Sequence, residues 1–198
     1  MVPEKLEVEV SDDPQDLSVV RRSTGAPIAG RVQCWTPTDD TLVLIENLDD
    51  VVALTHGFAH TCALRSDGTV WCAGSVDALG TEAVDEDSAV FVQVEGIDDA
   101  VAIHSGGNSR TCALLQDQTI RCWGLADLGD GTGASSRLPV EARNFDRPVR
   151  VVVNSNGVCA LLEDTTVWCS LAPVDRVGVS SADLLPAPVA CCGLVTTK

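Results

Sequence analysis

The chain has 198 residues, 45% hydrophobic and 21% charged, enough apolar content for a buried core in one domain or one repeat array, which excludes bulk disorder. Thirteen basic residues against 29 acidic ones give a formal charge of −16, which sets the chain against the phosphate backbone of nucleic acids. No run approaches the ~18 apolar residues of a membrane span, and the opening Met1-Val-Pro-Glu-Lys-Leu-Glu7 alternates charge with apolar residues, so no signal peptide is read in this chain.

In chain order, residues 1–29 form a degenerate N-terminal segment, and Leu6 to Val20 match nothing later. Residues 30–50 hold a partial first repeat, Gly30-Arg-Val-Gln-Cys-Trp35, with Thr24 standing where a first cysteine belongs. Residues 51–99, the second repeat, contain Thr61-Cys-Ala-Leu-Arg-Ser-Asp-Gly-Thr-Val-Trp-Cys72. Residues 100–147, the third, contain Thr111-Cys-Ala-Leu-Leu-Gln-Asp-Gln-Thr-Ile-Arg-Cys122. Residues 148–198, a truncated fourth, contain Val158-Cys-Ala-Leu-Leu-Glu-Asp-Thr-Thr-Val-Trp-Cys169. The three complete segments superpose without gaps. Cys34, Cys72, Cys122 and Cys169 follow one another at intervals of 38, 50 and 47 residues, a period that belongs to propellers and other repeat arrays.

Each unit reads as a hairpin, two short runs of β-formers around a polar turn. If Cys62 opposes Cys72, then Ala63 opposes Trp71, Leu64 opposes Val70 and Arg65 opposes Thr69. The loop Ser66-Asp67-Gly68 remains, with Gly68 in the left-handed position of a three-residue turn. Gln118 and Thr165 occupy that position in the other copies; a β-branched residue is strained there, so a different turn is expected in the last hairpin. Pair types counted outward from the loop place the cysteines at a narrow, non-hydrogen-bonded pair, with Cα atoms ~4.5 Å apart, within the reach of a disulfide. Three cross-strand bridges are expected, Cys62–Cys72, Cys112–Cys122 and Cys159–Cys169; buried free thiols in a reducing compartment are the competing reading. Zinc fits less well, since metal ligand pairs favour shorter spacing and only His56, His60 and His104 are available to help. Cys34, Cys191 and Cys192 are left over, and whether Cys34 pairs with Cys191 or Cys192 stays open.

The hairpin strands are apolar on both faces, Cys62 and Leu64 on one, Ala63 and Trp71 on the other, so each sheet needs cover from both sides. Gly57 and Gly107 recur five positions before the first cysteine, with Asn154 in the last copy, which points to a turn needing positive φ. The acidic excess is uneven: residues 39–99 carry fourteen acids and the single base Arg65, while residues 100–198 carry nine acids and eight bases. Asp85, Glu86 and Asp87 lie within that acidic third and are the candidate contacts for a basic partner, against the plainer reading of a solvated surface.

His60-Thr-Cys-Ala-Leu-Arg-Ser-Asp-Gly-Thr-Val-Trp-Cys72 and Cys122-Trp-Gly-Leu-Ala-Asp-Leu-Gly-Asp-Gly-Thr132 resemble repeats of the regulator of chromosome condensation family, over about residues 30–194. The second repeat keeps Gly74 and Leu79-Gly80 but has Ala73 where Trp123 stands, and the last reads Ser170-Leu171 in place of Trp-Gly. The resemblance implies an all-β propeller of four-stranded antiparallel blades. Family propellers close with seven blades, so three clear repeats and a degenerate one imply an incomplete or open propeller. Its bare blade faces and strand edges would favour self-association or a capping partner, or mark a fragment of a longer product.

Catalysis finds no support, because no nucleophile elbow, phosphate-cradling loop or histidine metal motif is present. His60 is replaced by Arg110 and Gly157 in the other copies and reads as a hydrogen-bonded structural residue. Within the family, members act as exchange factors for small GTPases, bind chromatin or inhibit secreted enzymes. The expectation is a non-enzymatic protein-interaction module without cofactor, metal or nucleic acid. Paired cysteines place it outside the cytoplasm, as a secreted, periplasmic or cell-surface protein. An exchange-factor-like regulator of a small GTPase and a vestigial fragment of a longer propeller are the alternatives.

Overall fold

The structure is a computed structural model that describes residues 31–35, 42–45, 48–106, 109–154, 157–170 and 192–195. The N-terminal segment 1–29 with Thr24, and the readings placed on Gly107, Leu171 and Cys191, lie outside the described residues. The strands run β1 (Arg31–Trp35), β2 (Leu42–Leu44), β3 (Val51–His56), β4 (His60–Arg65), β5 (Val70–Gly74), β6 (Ser88–Gln93) and β7 (Ala100–Gly106). There follow β8 (Arg110–Leu115), β9 (Ile120–Gly124), β10 (Ser136–Ala142), β11 (Pro148–Val153), β12 (Val158–Leu162), β13 (Val167–Cys169) and β14 (Cys192–Val195). All pairs are antiparallel, in a first sheet β14-β1-β2, a second β3-β4-β5-β6, a third β7-β8-β9-β10 and a fourth β11-β12-β13. A 3-10 turn at Val76–Ala78 is the one helical element among the described residues. The protein is all-β, a partial propeller of stacked meanders.

The β4–β5 register pairs Cys62 with Cys72, Ala63 with Trp71 and Leu64 with Val70, and β8–β9 and β12–β13 repeat it. Gly68, Gln118 and Thr165 all lie in the left-handed region, at φ 84°, 64° and 68°. The expectation of a different last turn is therefore corrected: all three hairpins use one turn. The reason is a clamp that spacing alone does not reveal. Asp67 Oδ1 accepts hydrogen bonds from the Thr69 amide at 3.0 Å and hydroxyl at 2.6 Å. Asp117 holds Thr119, and Asp164 holds Thr166, in the same way. The clamp closes the turn strongly enough to hold even a threonine at positive φ. Gly57 is corrected too, since its φ lies outside the left-handed range; a Cβ there would meet the His60 ring at 2.0 Å, so glycine is required by close approach.

Both faces of the second sheet are covered. Leu64, Val70, Leu79 and Val94 pack with Ala113, Leu115 and Trp123 of the third sheet. On the other face, Ala63 and the half-buried Trp71 meet Val32 and Leu48. The third sheet repeats the arrangement, with Leu114, Ile120 and Leu128 packed against Val151, Val153 and Leu162 of the fourth. Full burial stabilises by ~1.5–3 kcal/mol for each large aliphatic or aromatic side chain, which makes the faces between sheets the main cohesive element.

Replacing Thr165 with glycine removes a strained, left-handed β-branched residue. The Thr165→Gly variant is expected to gain up to about 1 kcal/mol, the strain released less glycine's added backbone entropy. Urea unfolding checks this, and a loss of stability would contradict the shared turn.

Candidate functional site

Three seams run along the stack. Cys62–Cys72, Cys112–Cys122 and Cys159–Cys169 are disulfide-bonded, with Cα separations of 4.1, 4.1 and 4.0 Å. The first two bridges are fully buried, and each lies on the face its sheet turns to the next one. Cys62 Sγ lies 3.6 Å from Thr111 Oγ1 of the third sheet.

Polar side chains bolt the same interfaces. His60 Nε2 is 2.6 Å from Thr111 Oγ1, and Ser105 Oγ is 2.8 Å from the same hydroxyl. The Ser105 amide donates to Thr55 Oγ1 at 2.7 Å, and one sheet further on the Val153 amide donates to His104 Nδ1 at 3.0 Å. Arg110, at the position of His60, is buried and spans to the fourth sheet by donating to the Asn154 carbonyl at 3.4 Å. Trp123 donates its indole N–H to the Ala78 carbonyl at 3.0 Å, seated against Gly80, where a Cβ would stand 3.1 Å from that nitrogen. The hydroxyl–imidazole set of Ser105, Thr111 and His60 is at most 5% exposed and closed to any substrate; its work is joining sheets. Nothing in the local sequence around Arg110 or Trp123 signals these contacts, because their partners lie in other repeats.

The acidic residues behave differently. Asp85, Glu86 and Asp87 lie in the exposed loop before β6 and do not converge on a common point. Asp85 Oδ1 stands 3.7 Å from Arg137 Nη1, while Asp87 Oδ1 accepts the Val76 amide at 2.9 Å. Arg137, reaching over from the third sheet, also donates to the Val84 and Thr81 carbonyls, so the loop is anchored and presents its carboxylates to solvent. Among the described residues, no three of His, Cys, Asp and Glu are grouped to hold a metal ion. A second surface feature had no signal in the sequence: a groove of about 790 Å³ along β13, floored by Phe145, Leu162 and the half-exposed Trp168 and rimmed by Arg147 and Glu163. Arg147 and Glu163 pair across it at 2.7 Å.

Bridged meanders stacked face to face, with bolts between neighbours, define a repeat protein of the propeller class. The family model of the regulator of chromosome condensation (RCC1) repeat matches residues 50–76. The regulator of chromosome condensation of Mus musculus is 30% identical over 129 residues, 60% of this chain and 30% of its own length. The chain thus spans about a third of that relative. Among solved structures, Prp20p of Saccharomyces cerevisiae superposes with a TM-score of 0.57 at 17% identity, over 73% of this chain and 42% of its own. Human WBSCR16 gives 0.58 at 14% identity, over 79% and 41%. Residues 50–76 thus match an RCC1 repeat, and the stacked sheets share the fold of the yeast RCC1 propeller.

Two outcomes follow from the seams and bolts. Cys62→Ala with Cys72→Ala, which opens a short covalent loop without leaving a lone thiol, is expected to cost about 2–3 kcal/mol in urea unfolding; an unchanged midpoint would contradict a closed bridge. His60 has its pKa lowered to about 4, first by burial and then by the neighbouring His56, and burial also lowers His104. The unfolded chain takes up a proton near pH 6.5 that folded His60 refuses until about pH 4, so stability is full above that window and falls through it. Denaturation at pH 7, 5 and 4 is expected to show a loss of at most about 3 kcal/mol, much reduced in His60→Asn.

Proposed function

We propose that the chain is a non-enzymatic protein-interaction module whose acidic second repeat receives a basic protein surface. The observation that carries this is the one-signed charge of residues 39–99, where Arg65 is the only base. Arg65 is itself neutralised locally: it donates to the Asp49 carbonyl at 2.9 Å, lies 3.4 Å from the Asp67 carboxylate and stands over the Trp71 ring. The field around this repeat is therefore negative, which speeds encounter with a cationic partner and selects its sign. Prp20p has binding properties to Gsp1p and histones, which supports protein recognition as the general use of such arrays. A second reading, regulation of nucleotide exchange on a small GTPase, takes its support from the match to RCC1 repeats, whose family includes exchange factors of that kind.

Location belongs to the same proposal. The three closed bridges support an extracytoplasmic setting, because a reducing cytosol keeps such cysteines as thiols.

Sedimentation of the chain with core histones as a basic probe is expected to show a complex that dissociates as salt rises and weakens several-fold in Asp85→Lys/Glu86→Lys. No complex at low salt would contradict the charge reading, and accelerated release of labelled nucleotide from a loaded GTPase would establish the second one. Alkylation in intact host cells is expected to leave the six bridge cysteines unlabelled; their labelling would place the protein in a reducing compartment.

A further inference from the structure

We propose that Cys34 and Cys192 form a fourth cross-strand disulfide, which joins the first repeat to the C-terminal strand and completes the hairpin that the first repeat lacks. In the first sheet, β1 pairs with β14, placing Cys34 opposite Cys192, Gln33 opposite Gly193 and Val32 opposite Leu194. This is the register of the bridged hairpins, where Cys72 faces Cys62, Trp71 faces Ala63 and Val70 faces Leu64. Cys192-Gly-Leu194 thus takes the place of Cys-Ala-Leu in the other repeats, supplied from the far end of the chain. Thr24 is bypassed, and the orphaned second cysteine regains a first one.

Backbone hydrogen bonding fixes the pair type. The Ile45 amide donates to the Val32 carbonyl at 2.8 Å, so Val32 directs its backbone groups toward β2, and Cys34, two residues on, does likewise. Toward β14, Cys34 therefore stands at a narrow, non-hydrogen-bonded pair. The bridged copy matches: the Val94 amide donates to the Val70 carbonyl at 2.8 Å, and Cys72 meets Cys62 across the strand's other side. All three described cysteine pairs in this setting are disulfides, with Cα separations near 4 Å. Val32 is buried against the second sheet as Val70 is buried against the third, so the first sheet sits in the stack as the others do. β14 also neighbours β3, as β4 neighbours β7 and β8 neighbours β11.

Bond formation is an ordinary thiol–disulfide exchange. The two thiols give up two protons and two electrons to a small disulfide oxidant such as oxidised glutathione, which leaves as two thiols. Cys191 is then the odd cysteine of the nine.

The test uses the full chain with one specific protease site inserted in the exposed 82–87 loop, folded with oxidised glutathione and cut at that site. The bridges at Cys62–Cys72, Cys112–Cys122 and Cys159–Cys169 each lie within one fragment, so only a bond between the chain's two ends can hold the fragments together. On a denaturing gel with alkylating agent, the cut wild type is expected to run as one band without reductant and two bands with it. Cys191→Ser is expected to behave the same way, while Cys34→Ser and Cys192→Ser separate without reductant. Separation of the cut wild type without reductant overturns the proposal, as a Cys191–Cys192 bond would produce; so does separation of Cys191→Ser alone, which assigns the bond to Cys34–Cys191.

Discussion

Two-sided burial is the constraint on which this structure depends. A hairpin carrying Leu64 on one face and Ala63 and Trp71 on the other cannot rest on a single partner, and water on either face would expose apolar surface. Stacking satisfies every sheet at once, with each neighbour acting as the other's cover. Among the described residues, Trp168 and Val167 on β13 are half-exposed, whereas Trp71, at the position of Trp168 in the second repeat, is half-buried against the first sheet.

The disulfides and the polar bolts solve separate problems. A cross-strand bridge ties a hairpin to itself and narrows the unfolded ensemble, but it holds no sheet to another. Registration between sheets falls to His60 with Thr111, Thr55 with the Ser105 amide, His104 and Arg110, whose hydrogen bonds span the interfaces where the bridges pack. An imidazole at position 60 and a guanidinium at position 110 each reach over the edge of one sheet onto the next, His60 to the Thr111 hydroxyl and Arg110 to the Asn154 carbonyl. The chemistry of the contact thus changes from one repeat to the next, and in the second repeat it leaves a buried histidine sensitive to acid.

Much of the fold is legible in the sequence because its strongest signals are local. Two cysteines ten apart around a three-residue loop determine the pairing of every residue between them, and the alternation of pair types places both sulfurs at a narrow site. The turn at Thr165 defeats a reading by propensity, which weighs one residue, whereas the Asp164 clamp on Thr166 decides the conformation. Gly57 misleads for a related reason: its constraint is the His60 ring three residues on, not its own φ. Contacts between repeats, such as Trp123 to Ala78 or the union of β1 with β14, leave no trace in any single segment. The acidic loop is visible as composition, but its anchoring by Arg137 is not, since that arginine arrives from the next sheet.

If mutual cover is what stabilises the array, the hairpins should open together. Native-state hydrogen exchange on the intact oxidised chain measures this directly. The account predicts that amides of β4, β5, β8, β9 and β12 form one slowly exchanging set with a common opening free energy, and that destabilising the interface beneath Trp123 lowers β4 and β9 alike. Independent opening of each hairpin, with such a change confined to its own repeat, would contradict it.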